Sequence, residues 1–169
     1  LNDDVEVAHY AATAVAQISK ESDLKLQQLE RAFKTDPSAQ NLNEYCDFLG
    51  EYLGSGLAEG RVAQIQRQQY ARLLARRCER EDTLELRIRY ATALADVGQI
   101  DEAQAVTDQL VLDVPEEQEV WMLCLRLAVM RRDGDEVHRV IDAIDKQHVY
   151  LSAANREELA FWRNGEEAR

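Results

Sequence analysis

The sequence predicts an all-α fold: a stack of antiparallel helical hairpins winding into a right-handed superhelix, with a capping helix at its C-terminal end. Three features carry this prediction. Apolar residues recur at helical spacing along most of the chain, and no segment keeps the strict apolar–polar alternation of a half-buried strand over a useful length. The 169 residues include only 7 Gly and 2 Pro, which leaves few sharp turns and favours long helices over many short strands. The stretch from Leu84 to Pro115 reads as two helices joined by a turn at Asp96-Val97-Gly98-Gln99, and a stretch in the same register follows it. In such a stack each hairpin buries what its neighbour exposes.

Composition sets the outer bounds. Hydrophobic residues make up 46% and charged residues 31%, a balance that suits one folded domain over residues 1–169 rather than a disordered chain. A formal net charge of -12 works against nonspecific nucleic-acid binding. The 3 cysteines, Cys46, Cys78 and Cys124, are odd in number and far apart, which suggests reduced thiols in a cytosolic setting. The most apolar run, Val120 to Met130, is interrupted by Arg126 and is too short to span a bilayer. A chain that opens at Leu1, with no signal peptide, reads as an excised domain whose membrane anchor, if it has one, lies outside this sequence.

Taken in order, residues 1–38 and 39–81 read as divergent hairpins. From Asp3 to Ser19 the residues Val5, Val7, Ala8, Ala11, Ala12, Val15, Ala16 and Ile18 make one small-residue helix face, with Asn2, Asp3 and Asp4 suited to its N-terminus. Leu24, Leu26, Leu29, Ala32 and Phe33 continue an apolar face up to a break at Thr35-Asp36-Pro37-Ser38. Glu21-Ser22-Asp23 either interrupts the helix or lies on its wet side, and the preferred reading is two helices with a short joint there. Asn41 to Leu53 reads as the next helix, ending at Gly54-Ser55-Gly56, and Ala58 to Arg80 as its longer partner. Residues 84–117 and 118–151 are the clearer repeats, and 152–163 the capping helix. In the first clear repeat Tyr90, Ala91 and Leu94 should meet Ala103, Val106 and Leu110. Gly98 can take the left-handed conformation that ends the first helix, and Asp101 can cap the second. Pro115 either stops that helix or opens the next. Ser152 should begin the last helix, with Asn155 as the alternative cap. Leu159, Ala160 and Trp162 would cover the open end of the stack, and residues 166–169 should fray.

This pattern resembles the tetratricopeptide repeat, whose period is about 34 residues. Counted from Leu84, the matching places are Ala91 at 8, Leu94 at 11, Gly98 at 15, Ile100 at 17, Ala103 at 20 and Pro115 at 32. Arg87 departs from the pattern at place 4, where a large apolar residue is usual, whereas Trp121 fills that place one period later. Cys124 answers Tyr90, Ala128 answers Leu94, Val137 answers Ala103 and Ile144 answers Leu110. Gly134 falls two residues later than Gly98 predicts, so the turn there should differ.

Nothing in the chain has the form of a catalytic constellation, and the expectation is a chain that is not an enzyme and takes no cofactor. His9, His138 and His148 form no close pair with another His or with Cys at metal-ligand spacing, and His9 in an Ala-Tyr setting suits packing or an interface. No phosphate-binding glycine loop and no nucleophile motif is present. Glu116, Glu117, Glu119, Asp135 and Glu136 sit where acids complement helix N-termini.

Two regions are candidates for partner binding. The first is implied by the resemblance: tetratricopeptide stacks line a concave groove with the first helix of each repeat. Its lining places hold Glu85, Ile88, Thr92 and Asp96, then Glu119, Met122, Arg126 and Val129, a mixed surface suited to a helix or extended peptide. Chaperone-binding tetratricopeptide proteins clamp a terminal carboxylate there with Lys and Asn. Ile88 and Thr92 hold the corresponding places here, so such a clamp is not expected. The second region is an arginine-rich face bearing Arg67, Arg72, Arg76 and Arg77, within a helix that also carries Arg61 and Arg80. It reads as a solvated face that offsets acidic neighbours, or as a patch that docks an acidic protein through planar guanidinium groups. RNA binding is a third reading. It lacks interleaved aromatics and opposes the overall charge.

The opening Asp3-Asp4-Val5-Glu6-Val7-Ala8-His9-Tyr10-Ala11-Ala12-Thr13 and the run Glu51-Tyr52-Leu53-Gly54-Ser55-Gly56-Leu57 resemble the cytosolic repeat domain of the PelE family, part of the bacterial Pel exopolysaccharide machinery. The resemblance implies two membrane helices upstream of Leu1. It also implies a non-catalytic scaffold in the cytoplasm beside PelD, the receptor for cyclic di-GMP, and the glycosyltransferase PelF. A repeat adaptor for some other protein complex is the alternative, with no nucleic acid and no direct membrane contact expected in either case.

Overall fold

Helices start where side-chain oxygens can satisfy the first free backbone N–H groups, and four positions among the described residues do so. A computed structural model describes the backbone of residues 2–166 and the side chains of residues 13, 14 and 17–163. Among the described residues it contains eight helices and no strand: α1 (Asn2–Thr35), α2 (Ala39–Gly54), α3 (Gly60–Cys78), α4 (Leu84–Asp96), α5 (Ile100–Asp113), α6 (Gln118–Arg131), α7 (Gly134–Lys146) and α8 (Ala153–Glu166). Ser38 Oγ accepts from the Asn41 N–H, Thr83 Oγ1 from Leu86, Asp133 Oδ1 from Glu136 and Ser152 Oγ from Asn155, over 2.9–3.3 Å. Expectations resting on the side chains of residues 2–12, 15 and 16, including the small-residue face, the Asn2-Asp3-Asp4 start and His9, lie outside the described residues. So does the fraying expected over 166–169.

Where the sequence predicts one domain over 1–169, the packing divides into two compact units, residues 1–73 and 74–169. The division falls within α3, whose Arg- and Gln-rich sequence has few apolar side chains to bury.

In the first unit α1 packs along α2. The hairpin expected over 1–38 is instead one continuous helix, without the joint at Glu21-Ser22-Asp23. No Gly or Pro interrupts it there, and Glu21 and Asp23 bond in ways a helix allows. Gln17 Nε2 donates to Glu21 one turn on (2.8 Å), and Asp23 accepts from the Tyr52 hydroxyl of α2 (2.6 Å). The real break is the Asp36-Pro37-Ser38 turn, where Asn41 Nδ2 donates to the Asp36 carbonyl (2.8 Å). Leu26 and Phe33 of α1 are buried along with Leu42, Tyr45, Cys46, Leu49 and Tyr52 of α2. Against α3 the approach at Gly50 is close: a Cβ there would lie 2.8 Å from the Tyr70 hydroxyl, so a larger residue requires the Tyr70 side chain to shift.

In the second unit each helix from α4 to α8 packs on the next, and α4 also touches α6. Ala91, Leu94, Ala95, Ala103, Leu123 and Leu127 form one buried cluster. Trp121, Cys124, Leu125, Ala128, Val137, Val140, Ile141, Ile144, Leu151 and Leu159 form another. Tyr90 and Val106 pack on the first cluster half-buried. Arg87, the residue in the place of a large apolar one, is kept at the packing boundary by its ion pair to Asp113 (2.7 Å).

The backbone repeats itself one period apart. Gln99 N donates to Leu94 O (2.9 Å) and Gly98 N to Ala95 O (3.0 Å). One period later Asp133 N donates to Ala128 O (3.1 Å) and Arg132 N to Val129 O (2.9 Å). Gly98 takes φ 80°, and Arg132, one period on, takes φ 56°. The turn therefore keeps its register, and Gly134 opens α7 rather than closing α6. A left-handed Arg carries a steric cost that Gly avoids, so Arg132→Gly should raise unfolding free energy by about 1 kcal/mol. Urea titration of both proteins measures the difference.

Further positions depart from expectation. Asp101 does not cap α5. The helix starts at Ile100 after Gln99, which places Asp101 inside the first turn, where it accepts from Arg131 Nη2 (2.7 Å). Pro115, by contrast, takes the first of its two expected places, just past the end of α5 in the turn before α6, and its carbonyl accepts from Trp121 Nε1 (2.7 Å). On α8, Leu159 is buried and Trp162 packs on the core, but Ala160 and Phe161 face outward.

Candidate functional site

Helices α4, α6 and α8 present residues to one open cleft of about 500 Å3 in the second unit. It brings together five of the eight lining residues read from the sequence, Ile88 and Thr92 from α4 with Glu119, Met122 and Arg126 from α6, whereas Glu85, Asp96 and Val129 do not line it. The register of the helices explains the convergence. Ile88 and Thr92 are one turn apart on α4, as are Met122 and Arg126 on α6, so each pair shares a face. Thr92 Oγ1 donates back to the Ile88 carbonyl (2.9 Å), so its hydroxyl is satisfied locally. Arg126 Nη2 donates to Asp96 Oδ1 (2.5 Å), bridging α6 to the C-terminal end of α4. That pair is exposed on both sides, so it orients the guanidinium more than it stabilises the fold.

The sequence reading missed the α8 side of the cleft, formed by Ser152, Asn155 and Glu158. Gln118 Oε1 ties it down, accepting from the Ser152 N–H (2.9 Å) and from Asn155 Nδ2 (3.1 Å). The signal was present in the sequence: one period beyond Gln118 is Ser152, which marks α8 as a further first helix. Val129, expected as lining, packs instead against the core. Met130, which is one period after Asp96, is the exposed residue. Glu119 and Glu158 give the cleft an acidic rim, while Ile88, Met122 and Leu123 supply its apolar part. The cleft can take up an apolar side chain between rims that hydrogen-bond a peptide.

The four arginines of the second candidate region all lie on α3 but do not share a face. At about 100° per residue, Arg72 and Arg76 project together, while Arg67 is turned about 140° from Arg72. Arg77 is largely buried, its Nε 3.8 Å from Glu81 Oε2. Arg67, Arg72 and Arg76 are exposed.

Among the titratable groups, burial pushes the Cys124 thiol up to about 12 and also raises that of Cys78. Both thiols stay protonated near neutral pH, the opposite of an activated nucleophile. Hydrogen bonds from Arg87 and Gln109 hold the Asp113 carboxyl below its usual range. No helix among the described residues is long and apolar enough to cross a membrane. Comparison with protein-family models, with curated proteins and with solved structures finds no match to this chain.

Proposed function

We propose that this chain is a non-catalytic docking scaffold whose α4–α6–α8 cleft receives a helical or extended segment of a partner protein. The observation that carries the reading is the meeting of Ile88, Thr92, Met122 and Arg126 in one open cleft. Apolar residues framed by polar rims are the usual composition of a peptide groove. The resemblance of Asp3 to Thr13 and of Glu51 to Leu57 to the PelE family supports a finer version: the cytoplasmic domain of an inner-membrane protein in exopolysaccharide synthesis and secretion, with PelD the first partner to test and PelF the second.

The test titrates the cytosolic part of PelD against the wild-type chain and Met122→Glu, with melting curves as the folding control. A carboxylate introduced beside Ile88, where the rim is already acidic, should weaken binding at least about tenfold, the loss expected for a central apolar anchor. Equal binding by the two proteins would remove the cleft as the docking site. No binding of PelD or PelF by the wild type would remove the exopolysaccharide placement.

A further inference from the structure

We infer that the outward face of α3 in the first unit docks an acidic amphipathic helix of a partner protein. At about 100° per residue, Arg61, Ile65, Gln68 and Arg72 fall within about 60° of one another, with Val62 at the edge of the same face. All five are exposed, and Val62 and Ile65 keep 59% and 57% of their surface. These two β-branched apolar residues are left open on a helix otherwise rich in Arg and Gln. They border a cleft of about 380 Å3 between α1 and α3, with Leu26 of α1 and Tyr45 of α2 as the other apolar walls. Gln66 also lines it, and its buried side-chain oxygen has no donor among the described residues.

Charge selects the occupant. Among the described residues Arg61 and Arg72 have no carboxylate partner, although the chain as a whole is strongly acidic. The acids on the α1 wall are already engaged, Asp23 by the Tyr52 hydroxyl and Glu30 by Lys34. The two arginines stand about 16 Å apart along the helix at 1.5 Å per residue, with the apolar pair between them. A helix of about three turns, carrying an acid near each end and two apolar residues between, complements this face in charge and in spacing. This site lies in the first unit and does not depend on the α4–α6–α8 cleft.

The test uses a fluorescein-labelled helical peptide of about 18 residues, with Glu near each end of a Leu stripe, and a second peptide with Lys in place of those Glu residues. Anisotropy titrations against the full chain should show the acidic peptide binding and the basic one not. The double variant Arg61→Glu and Arg72→Glu should weaken the acidic peptide at least about tenfold and restore binding of the basic one, as charge reversal does at a steered interface. Val62→Ser with Ile65→Ser should also abolish binding, while Met122→Glu in the other unit should leave it unchanged. Failure of the acidic peptide to bind, equal binding of both peptides, or no effect of charge reversal in a variant that melts normally would each overturn the inference. So would sedimentation showing that the wild type pairs with itself through this face and that charge reversal dissolves the pair, because the occupant would then be a second copy.

Discussion

Trp121→Ala is expected to lower unfolding free energy by about 3–5 kcal/mol, the usual cost of truncating a buried aromatic to Ala. Trp121 is 7% exposed and sits in the cluster of Leu125, Ile144, Leu151 and Leu159, where α6, α7 and α8 meet. Its ring fills space that no neighbouring side chain can take over, since the residues around it are already packed. Its Nε1–H donates to the Pro115 carbonyl, so truncation also removes a bond that holds the turn before α6. Trp121→Phe keeps most of the volume and should recover most of the loss. The comparison with Arg87→Ala is informative, because Arg87 holds the same place one period earlier. Arg87 is half-buried at the boundary and bound to Asp113 through an ion pair open to solvent on the Asp113 side, so its removal should cost about 1 kcal/mol, well below the loss at Trp121. Urea unfolding monitored by far-UV circular dichroism measures all three variants. A loss below about 1 kcal/mol for Trp121→Ala would mean that the ring does not fill this core.

The features that could be read from sequence are those set by side-chain size and period. Ala91, Leu94, Ala103 and Leu110 are buried where the periodicity puts them, because helices cross closely only where residues are small or evenly spaced. Gly98 identified its own turn by chemistry. Arg132 adopts the same left-handed turn with no chemical signature, so the equivalent turn seemed to have moved to Gly134. Caps were ambiguous for a related reason. Ser, Thr, Asp and Asn are abundant near helix starts, and backbone geometry decides which one is used: Asp133 caps α7, whereas the equivalent place before α5 is Gln99, whose side chain turns to Glu102. The break in α1 was misplaced because polarity alone does not end a helix. A hydrogen-bonded Glu21 and an Asp23 engaged from α2 suit the solvent side of a continuous one.

The cleft was partly legible. Faces of α4 and α6 follow from counting, but the contribution of α8 required carrying the period through an unpaired helix. Helix angles could have separated Arg67 from Arg72 without any structure. The depth of Arg77 could not be found that way, because it depends on which side of α3 the neighbouring helices cover. The exposure of Val62 and Ile65 could not be found from sequence for the same reason, since helical spacing marks an apolar face but not what covers it.

Ala103→Trp is expected to be the most disruptive single change between α4 and α5. Ala103 has no exposed surface and lies in one cluster with Ala91, Leu94 and Ala95 of α4 and with Leu123 and Leu127 of α6. With alanines facing it, the two backbones approach closely and leave no void for an indole. The helices must separate or the ring must leave the core, and overpacking on this scale should cost about 3 kcal/mol or more. Ala105→Trp is the control, an exposed position on the same helix, where the change should stay within about 0.5 kcal/mol. The consequence should also reach the cleft. Leu123 belongs both to the cluster around Ala103 and to the wall of the α4–α6–α8 cleft, so prying α4 from α5 shifts a lining residue without touching the cleft directly. At a temperature where Ala103→Trp remains folded, its affinity for a cleft ligand should fall, while the acidic helix on α3 should bind as it does to wild type. An Ala103→Trp chain that melts with the wild type would mean that α4 and α5 do not cross at this residue.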